Sequence, residues 1–298
     1  MAGHVIAAKL STAPTSAGLY RPLLLLATAL ALCVVGLGAY VRLTDAGLGC
    51  PDWPGCYGHV LVPDHAADIG RAWHEMIHRY AAGSLGLLIL GLTVAAWRRS
   101  LTRSASPWLV TGLCGLVVLQ ALMGMWTVTA LLKPVIVTAH LLGGLLVWTL
   151  LVVLCRREFG AAEIGGRGRL GGFALATVLI QAALGGWVSS NYAGLACPDF
   201  PFCSAGGWPA TAAAAIQWVH RLGALAVLSI AGGYAIVLMR VPAHRLLGLS
   251  IAAALAIQVA LGVGNVLLRL PLPLAVAHTL GAALLLASIA VALSGRRA

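Results

Sequence analysis

This chain has few charged side chains. Only 9% of its 298 residues are Asp, Glu, Lys or Arg, whereas a soluble globular domain carries about 25%. Because hydrophobic residues reach 60% and the mean hydropathy is +0.96, a soluble enzyme is excluded and a polytopic membrane protein is predicted. The formal net charge of +11 is spread in short clusters between apolar runs, as in membrane-flanking loops, so it does not indicate nucleic-acid binding.

Two further features that are rare or absent restrict the possible functions. None of the 7 cysteines forms a C-x-x-C pair, which is the usual spacing of a reactive dithiol. This disfavours a thiol oxidoreductase that passes electrons to quinone. Only 8 residues are acidic, and an ionisable group inside a membrane span is costly, so any such group is a functional candidate.

Eight apolar runs predict an all-α integral membrane protein, because each approaches the roughly 20 residues that a helix needs to cross a bilayer. The predicted spans are 22–43, 72–97, 108–130, 135–155, 169–190, 212–239, 245–268 and 274–294. Arginines concentrate near the ends of the chain and in the even-numbered loops, so the positive-inside rule places both termini in the cytoplasm. The long loops 44–71 and 191–211 then face outward, and a multi-pass protein of the cell inner membrane is expected.

The second half of the sequence repeats the first. Residues 38–56 align with residues 185–203, and E-M-I-H-R at 75–79 aligns with Q-W-V-H-R at 217–221. Each half holds four spans, so both halves share one orientation and are predicted to form two parallel-repeat four-helix bundles. The predicted units are a cytoplasmic tail at 1–21, a first half at 22–157, a cytoplasmic linker at 158–168 and a second half at 169–298.

A Q-x-x-x-G motif also recurs. It precedes a histidine by 20 residues in both halves, from Gln120 to His140 and from Gln258 to His278. Gln181 begins a similar motif in the fifth span. Small residues at this spacing favour close helix packing, which is the interpretation given to the motif at Gln181.

Four histidines recur at matching positions in every second span: His78, His140, His220 and His278. Counted at 1.5 Å per residue, each lies roughly 8–12 Å below the outer surface. Two histidines at one depth on neighbouring helices form a pair of axial imidazoles of the kind that holds a haem iron. Two pairs predict two porphyrin sites, whereas the alternative, a histidine hydrogen-bonded in a helix seam, does not explain four repeat-related positions.

Arg79 and Arg221 directly follow two of these histidines. Guanidinium groups pair well with carboxylates, so both are candidate contacts for haem propionates. Snorkelling of a long side chain to the interface is the alternative. His74 has Ile216 in place of a counterpart and is expected at the interface. The other histidines lie in loops or tails and are expected in water: His4, His59, His65 and His244.

Glu75 is the charged group that the repeat does not duplicate, since Gln217 stands in its place. It lies three residues before His78, so both share one helix face. A carboxyl beside a porphyrin suggests proton transfer or substrate positioning, which makes Glu75 the candidate catalytic residue. The alternative is a salt bridge to Arg71 or Arg79 at the interface.

Four cysteines pair within the two long loops, Cys50 with Cys56 and Cys197 with Cys203, each with five residues between. An oxidising outer compartment favours disulfides there, and a zinc site would prefer shorter spacing and more histidines. Structural disulfides are the first interpretation, and redox-active disulfides are the alternative. The remaining cysteines fall within spans or at their ends and are interpreted as packing residues: Cys33, Cys114 and Cys155.

Taken together, these residues resemble the haem A synthase family, of the bacterial type with cysteine pairs in the outer loops. The resemblance covers nearly the whole chain. It rests on eight spans in two four-helix halves, on E-x-x-H-R at 75–79 with the three later histidines, and on a cysteine pair in each long outer loop. It implies an oxidoreductase of cytochrome oxidase assembly that oxidises the C8 methyl of haem O to the formyl of haem A. It also implies a haem b cofactor held by His220 and His278, with the substrate haem near His78 and His140.

The resemblance also implies binding partners, and two other functions are compared with it. Haem O is the implied substrate, supplied by haem O synthase (protohaem farnesyltransferase), with an electron donor or acceptor that the sequence does not identify. Membrane lipid surrounds the spans, and a homo-oligomer is compatible with them. A di-haem b-type cytochrome that exchanges electrons with quinone explains the four histidines but neither Glu75 nor the cysteine loops. A transporter is suggested by the repeat alone.

Overall fold

The computed structural model describes residues 16–99, 106–159, 168–203 and 208–294. This part of the chain contains eight long α-helices: α1 Ser16–Leu43, α2 Ile69–Arg99, α3 Pro107–Thr129, α4 Pro134–Glu158, α5 Gly168–Ser190, α6 Ala212–Met239, α7 Arg245–Leu267 and α8 Leu272–Leu293. By length and composition, all eight are long and apolar enough to cross a membrane. The predicted all-α multi-pass fold is confirmed.

The helices end within a few residues of the predicted spans, and the largest difference is at the start of α1. Residues up to 21 were predicted as a tail, but α1 already begins at Ser16. A helix satisfies its backbone hydrogen bonds internally, so it can continue beyond the apolar stretch that hydropathy detects. Residues 1–15, which include His4, and residues 160–167 of the predicted linker lie outside the described residues.

The helix α4 also extends past its predicted end, as far as Glu158. The carboxylate of Glu158 is buried and accepts a hydrogen bond from Nε of Arg21 at 3.3 Å. Arg21 lies near the start of α1, so this ion pair ties that end of α1 to the last turn of α4.

Helix packing follows the order of the chain within each half. In the first half α1 contacts α2 and α4, and α3 contacts the same two helices. In the second half α5 contacts α6 and α8, and α7 contacts the same two. The halves meet through α4 against α5 and α8, and through α1 against α8. The helices α1–α4 and α5–α8 thus contact one another in the same order, and the division into two repeat-related halves stays a prediction.

Equivalent turns in the two halves make equivalent contacts. Leu132, after α3, and Leu270, after α7, both have left-handed backbone conformations, with φ of 55° and 57°. Their side chains reach back to Gly47 and Gly194, which occupy matching positions in the two long loops. A Cβ added to these glycines would lie 3.2 Å and 2.7 Å from the leucine methyl carbons. A larger residue at either position would therefore press on the leucine side chain, which would have to shift.

Candidate functional site

A cavity of about 1480 Å³ extends between the helices of both halves. Its lining is mainly apolar, but all four repeat-related histidines contribute to it: His78, His140, His220 and His278. Glu75 and Arg79 line it in the first half, and Gln217 and Arg221 line it in the second. The volume exceeds the about 300–1,000 Å³ of a typical small-molecule site, so the cavity has room for more than one large ligand.

Each imidazole packs against a glycine on the helix that precedes it. The pairs are Gly38–His78, Gly124–His140, Gly185–His220 and Gly262–His278. A Cβ added to these glycines would lie 3.1–3.6 Å from the Cε1 atom of the imidazole. Glycine therefore lets each ring sit in a seam between two helices while it still lines the cavity.

The histidine pairs fit the axial positions of a haem better than a site for a bare metal ion. His78 and His140 line the cavity in the first half, and His220 and His278 line it in the second. Within the described ranges, no group of three or more His, Cys, Asp or Glu side chains could hold a metal ion. Two imidazoles suffice for a haem iron, because the porphyrin would supply the other four ligands. In the same ranges, Nδ1 of His78, His140 and His278 is buried without a hydrogen-bond partner.

Glu75 is 4% exposed and is held from two sides. Its Oε2 accepts a hydrogen bond from the backbone N–H of Cys50 at 2.9 Å, and its Oε1 lies 2.5 Å from Nη2 of Arg79. Arg79 also donates through Nη1 to the backbone oxygens of Asp52 and Gly55, at 2.8 Å and 2.5 Å. The carboxylate, the guanidinium and the first cysteine loop therefore form one network.

This network resolves which arginine pairs with Glu75. The partner is Arg79, whereas Arg71 forms an ion pair with Asp68 at 3.3 Å. The predicted salt bridge is thus present, and Glu75 also lines the cavity. An ion pair and a role in chemistry are therefore compatible for this carboxylate.

The second half anchors its cysteine loop without a carboxylate. Arg221 donates through Nη1 to the backbone oxygens of Asp199 and Phe202, at 2.7 Å and 3.0 Å. Its Nη2 donates to the backbone oxygen of Cys197 at 2.5 Å. Gln217 is 5% exposed, and its Oε1 has no hydrogen-bond partner among the described residues. Both arginines therefore tie a loop to a helix, a role that the sequence did not predict.

The structure closes both predicted cysteine pairs as disulfides, Cys50–Cys56 and Cys197–Cys203, with Cα–Cα distances of 4.8 Å and 4.4 Å. In the first loop the carboxylate of Asp52 accepts hydrogen bonds from the backbone N–H groups of Tyr57 and Gly58, both at 2.6 Å. Partial burial opposes ionisation, but these N–H groups outweigh it and hold the pKa of Asp52 below its ordinary value. The bridge and the carboxylate together fix the loop.

The remaining histidines lie away from the cavity lining. His74 packs edge-on against Tyr40, with ring centroids 4.9 Å apart. His59 and His65 lie in the first long loop with ring centroids 5.9 Å apart. His244 ends the short turn before α7. His59 and His65 are exposed, as expected, whereas His74 and His244 are half-buried and their Nδ1 atoms are buried.

Two glutamines belong to the site, although the sequence pattern at Gln181 was interpreted as packing alone. Nε2 of Gln181 donates to the backbone oxygen of His220 at 2.8 Å and lies 3.1 Å from its Nδ1. Nε2 of Gln258 donates to the backbone oxygen of His278 at 3.0 Å. The recurring Q-x-x-x-G motif was the available signal, but a motif does not show that its amide reaches a histidine on another helix.

Arg42 connects the two halves and was also missed. It pairs with Asp45 at 3.3 Å and donates through Nη2 to the backbone oxygen of Ser189 at 2.5 Å. Its guanidinium carbon lies 4.2 Å from the ring centroid of Tyr192, within the range of a cation–π contact. Ser189 is the repeat counterpart of Arg42, so the two halves touch at equivalent positions.

Fold and site together define a class: an α-helical multi-pass membrane protein whose cavity is lined by two pairs of histidines, with one disulfide loop anchored in each half. Residues 21–290 match the family COX15-CtaA, described as cytochrome oxidase assembly protein, and the chain belongs to this family.

Named relatives agree with that membership. The chain is 38% identical over 304 residues to a protein named Heme A synthase from Shewanella oneidensis, which covers 87% of this chain and 91% of the relative. It is 28% identical to Heme A synthase from Rhizorhabdus wittichii, over 89% of this chain and 90% of the relative. It is 29% identical to Heme A synthase from Caulobacter vibrioides, over 89% and 92%.

Proposed function

We propose that this protein is a haem A synthase, an oxidoreductase that converts the C8 methyl of haem O to the formyl of haem A for cytochrome oxidase. The observation that carries the proposal is a cavity lined by four histidines and by Glu75. Family membership and the names of the relatives support the same activity.

Two haem groups share the cavity in this proposal. His220 and His278 hold a resident haem b in the second half, and His78 and His140 hold the substrate haem O in the first. The difference between the halves supports this order, because only the first half has a carboxylate, Glu75, beside its histidine pair. When bound, haem b supplies electron-transfer chemistry, and the chain supplies the ligands and a mainly apolar enclosure.

Glu75 is the proposed catalytic residue and acts as a proton acceptor. Conversion of a methyl to a formyl removes four electrons from the carbon and also releases protons, which need an acceptor within a water-poor cavity. Glu75 lies three residues before His78 on α2, so a substrate haem held by His78 has the carboxylate about one helical turn away. The bonds from Arg79 and from the N–H of Cys50 fix the direction of the carboxylate.

Arg79 and Arg221 are proposed to anchor the cysteine loops. Their hydrogen bonds to backbone oxygens support this role, and both side chains also line the cavity. Contact with the haem propionates is compatible with it and stays a prediction.

The predicted halves, 22–157 and 169–298, serve in this proposal as the substrate unit and the cofactor unit. We place the chain in the inner membrane with both termini in the cytoplasm, supported by the arginine distribution and by disulfides that suit an oxidising compartment. Reporter fusions at residue 298 and near Asp199 test the topology. A C-terminal reporter that is active only outside the membrane would overturn it.

The partners follow from the chemistry. Haem O is the substrate and comes from a protohaem farnesyltransferase, the haem O synthase. The reaction also requires an electron donor or acceptor and a source of the formyl oxygen, both outside the chain. The protein is also expected to associate with a second copy of itself, and gel filtration in detergent tests this.

The pigment of the purified protein tests the function. Haem extracted from protein made in cells that supply haem O should contain haem b together with haem O or haem A. Haem b alone would instead favour the di-haem b-type cytochrome, and protein without haem would contradict both.

A further inference from the structure

Three of the four successive helix pairs carry two complementary motifs. The first helix of the pair has Q-x-x-x-G and the second has H-x-x-G. The sets are Gln120 and Gly124 with His140 and Gly143, Gln181 and Gly185 with His220 and Gly223, and Gln258 and Gly262 with His278 and Gly281. In each set one glycine faces the imidazole and the other faces the glutamine amide. The α1–α2 pair departs from this pattern, with Val34 at the glutamine position and Ala81 at the second glycine position.

In the second half both glutamines bond to the histidine that they face. Nε2 of Gln181 donates to the backbone oxygen of His220 at 2.8 Å and lies 3.1 Å from Nδ1 of the ring. Nε2 of Gln258 donates to the backbone oxygen of His278 at 3.0 Å and lies 3.4 Å from the ring Nε2. A backbone oxygen inside a helix has a second lone pair free for such a bond. Each bond therefore ties two helices together at the level of a histidine.

In the first half neither histidine has such a bond. Gln120 faces Gly143, but its Nε2 donates to Sδ of Met123 on its own helix at 3.8 Å. Within the described ranges it forms no hydrogen bond to His140. At His78 the equivalent position of α1 is Val34, which has no polar side-chain atom. Among the described residues, glutamine amides therefore bond to the histidines of the second half and not to those of the first.

We propose that Gln181 and Gln258 are positioning residues for the two imidazoles that hold the resident haem, and that their absence as partners in the first half leaves the substrate ligands adjustable. The proposal rests on the proposed function. A cofactor that stays bound has higher affinity when its ligands are already held in position. A haem that enters as substrate and leaves as product requires ligands whose side chains can move.

The side-chain contact of Gln181 fits an imidazole that is held as a ligand. Gln181 lies beside Nδ1 of His220, the ring nitrogen that stays free when Nε2 binds iron. Gln258 holds His278 through the backbone oxygen. Loss of groups that orient a metal ligand typically lowers metal affinity by about 10–100-fold.

Methionine variants test the proposal in the full-length protein purified in detergent. Gln181→Met and Gln258→Met keep the approximate shape and remove the polar atoms, and Gln120→Met is the matched control in the first half. The first two should lower affinity for haem b by about 10–100-fold. They should also change the midpoint potential and the ferric electron paramagnetic resonance spectrum of the remaining haem b, because the imidazoles are no longer held in one orientation. The control should match wild type in haem b content, potential and ferric electron paramagnetic resonance spectrum.

Gln181→Glu separates positioning from packing. It keeps the size, but an ionised carboxylate cannot donate to the backbone oxygen of His220, so the variant should lose affinity for haem b as Gln181→Met does. A residue that only filled space would tolerate this change. If Gln181→Met is not recovered as folded protein, Gln258→Met and Gln181→Glu give the same test.

Two results would overturn the inference: haem b content and potential equal to wild type in the Gln181 and Gln258 variants, or an equal loss in the Gln120 control. Its failure is distinguishable from that of the proposed function. Wild-type protein that binds haem b but never forms haem A refutes the function alone. Wild-type protein that forms haem A beside unaffected variants refutes only the role of the glutamines.

Discussion

Replacing Glu75 with glutamine removes the charge from the cavity while nearly keeping the shape of the side chain. The second half is built with this residue, since Gln217 occupies the equivalent place at 5% exposure. Glu75→Gln should therefore fold and should keep haem b at His220 and His278.

The contacts of Glu75 indicate how much stability the substitution should cost. The carboxylate accepts one bond from Cys50 N–H at 2.9 Å and one from Arg79 at 2.5 Å, but a glutamine can accept only through its single oxygen. Loss of a hydrogen bond that involves a charged group costs about 1.5–3 kcal/mol. Arg79 keeps its backbone acceptors in the loop, so the destabilisation should fall at the low end of that range. The loss of a general base should lower the rate by about 10²–10⁴-fold.

The assay is extraction and chromatographic identification of haems from cells that supply haem O. Glu75→Gln should leave haem O and the intermediate alcohol in place of haem A, with haem b unchanged. Glu158→Gln is the matched control, because Glu158 is also buried and ion-paired but does not line the cavity. Its haem A yield should equal that of wild type. If Glu75→Gln made haem A at the wild-type rate, the catalytic role would be wrong and Glu75 would be a loop anchor only.

Three other outcomes are expected. Alanine at His220 or His278 should abolish the absorbance of haem b, because the haem iron loses a ligand. Alanine at His74 is the control and should leave the spectrum unchanged. Full haem b content in both the His220 and the His278 variants would contradict the assignment. Serine at Cys50 should destabilise the protein by about 2 kcal/mol, because its bridge closes a short loop, and peptide mass spectrometry of the unreduced wild type should show both bridges rather than free thiols. The first loop should loosen in acid, because the folded-state pKa of Asp52 lies below its ordinary value. Its contribution to stability is complete above the unfolded pKa of about 3.9 and is lost as pH falls through the folded pKa. Limited proteolysis across pH measures this loss, and a loop that loosened only at high pH would refute it.

The architecture could be predicted from the sequence because hydropathy and span length are local properties that add along the chain. The eight helices emerged within a few residues of their observed ends, and the recurring histidines at 78, 140, 220 and 278 marked the lining of the cavity. Glu75 could also be identified as a candidate, because the equivalent position in the second half holds the uncharged Gln217. The start of α1 was missed, since a helix can continue beyond its apolar stretch.

The partners of these residues were decided by tertiary structure alone. Arg79 and Arg221 bond mainly to backbone oxygens of loops that lie about 20 or more residues away, and every residue carries a backbone oxygen, so no side-chain pattern marks the contact. The same reason hid the bonds from Gln181 and Gln258 to the histidines, and the bond from Arg42 to Ser189 across the halves. A sequence shows which groups can donate, but only the packed helices determine which acceptor each donor reaches.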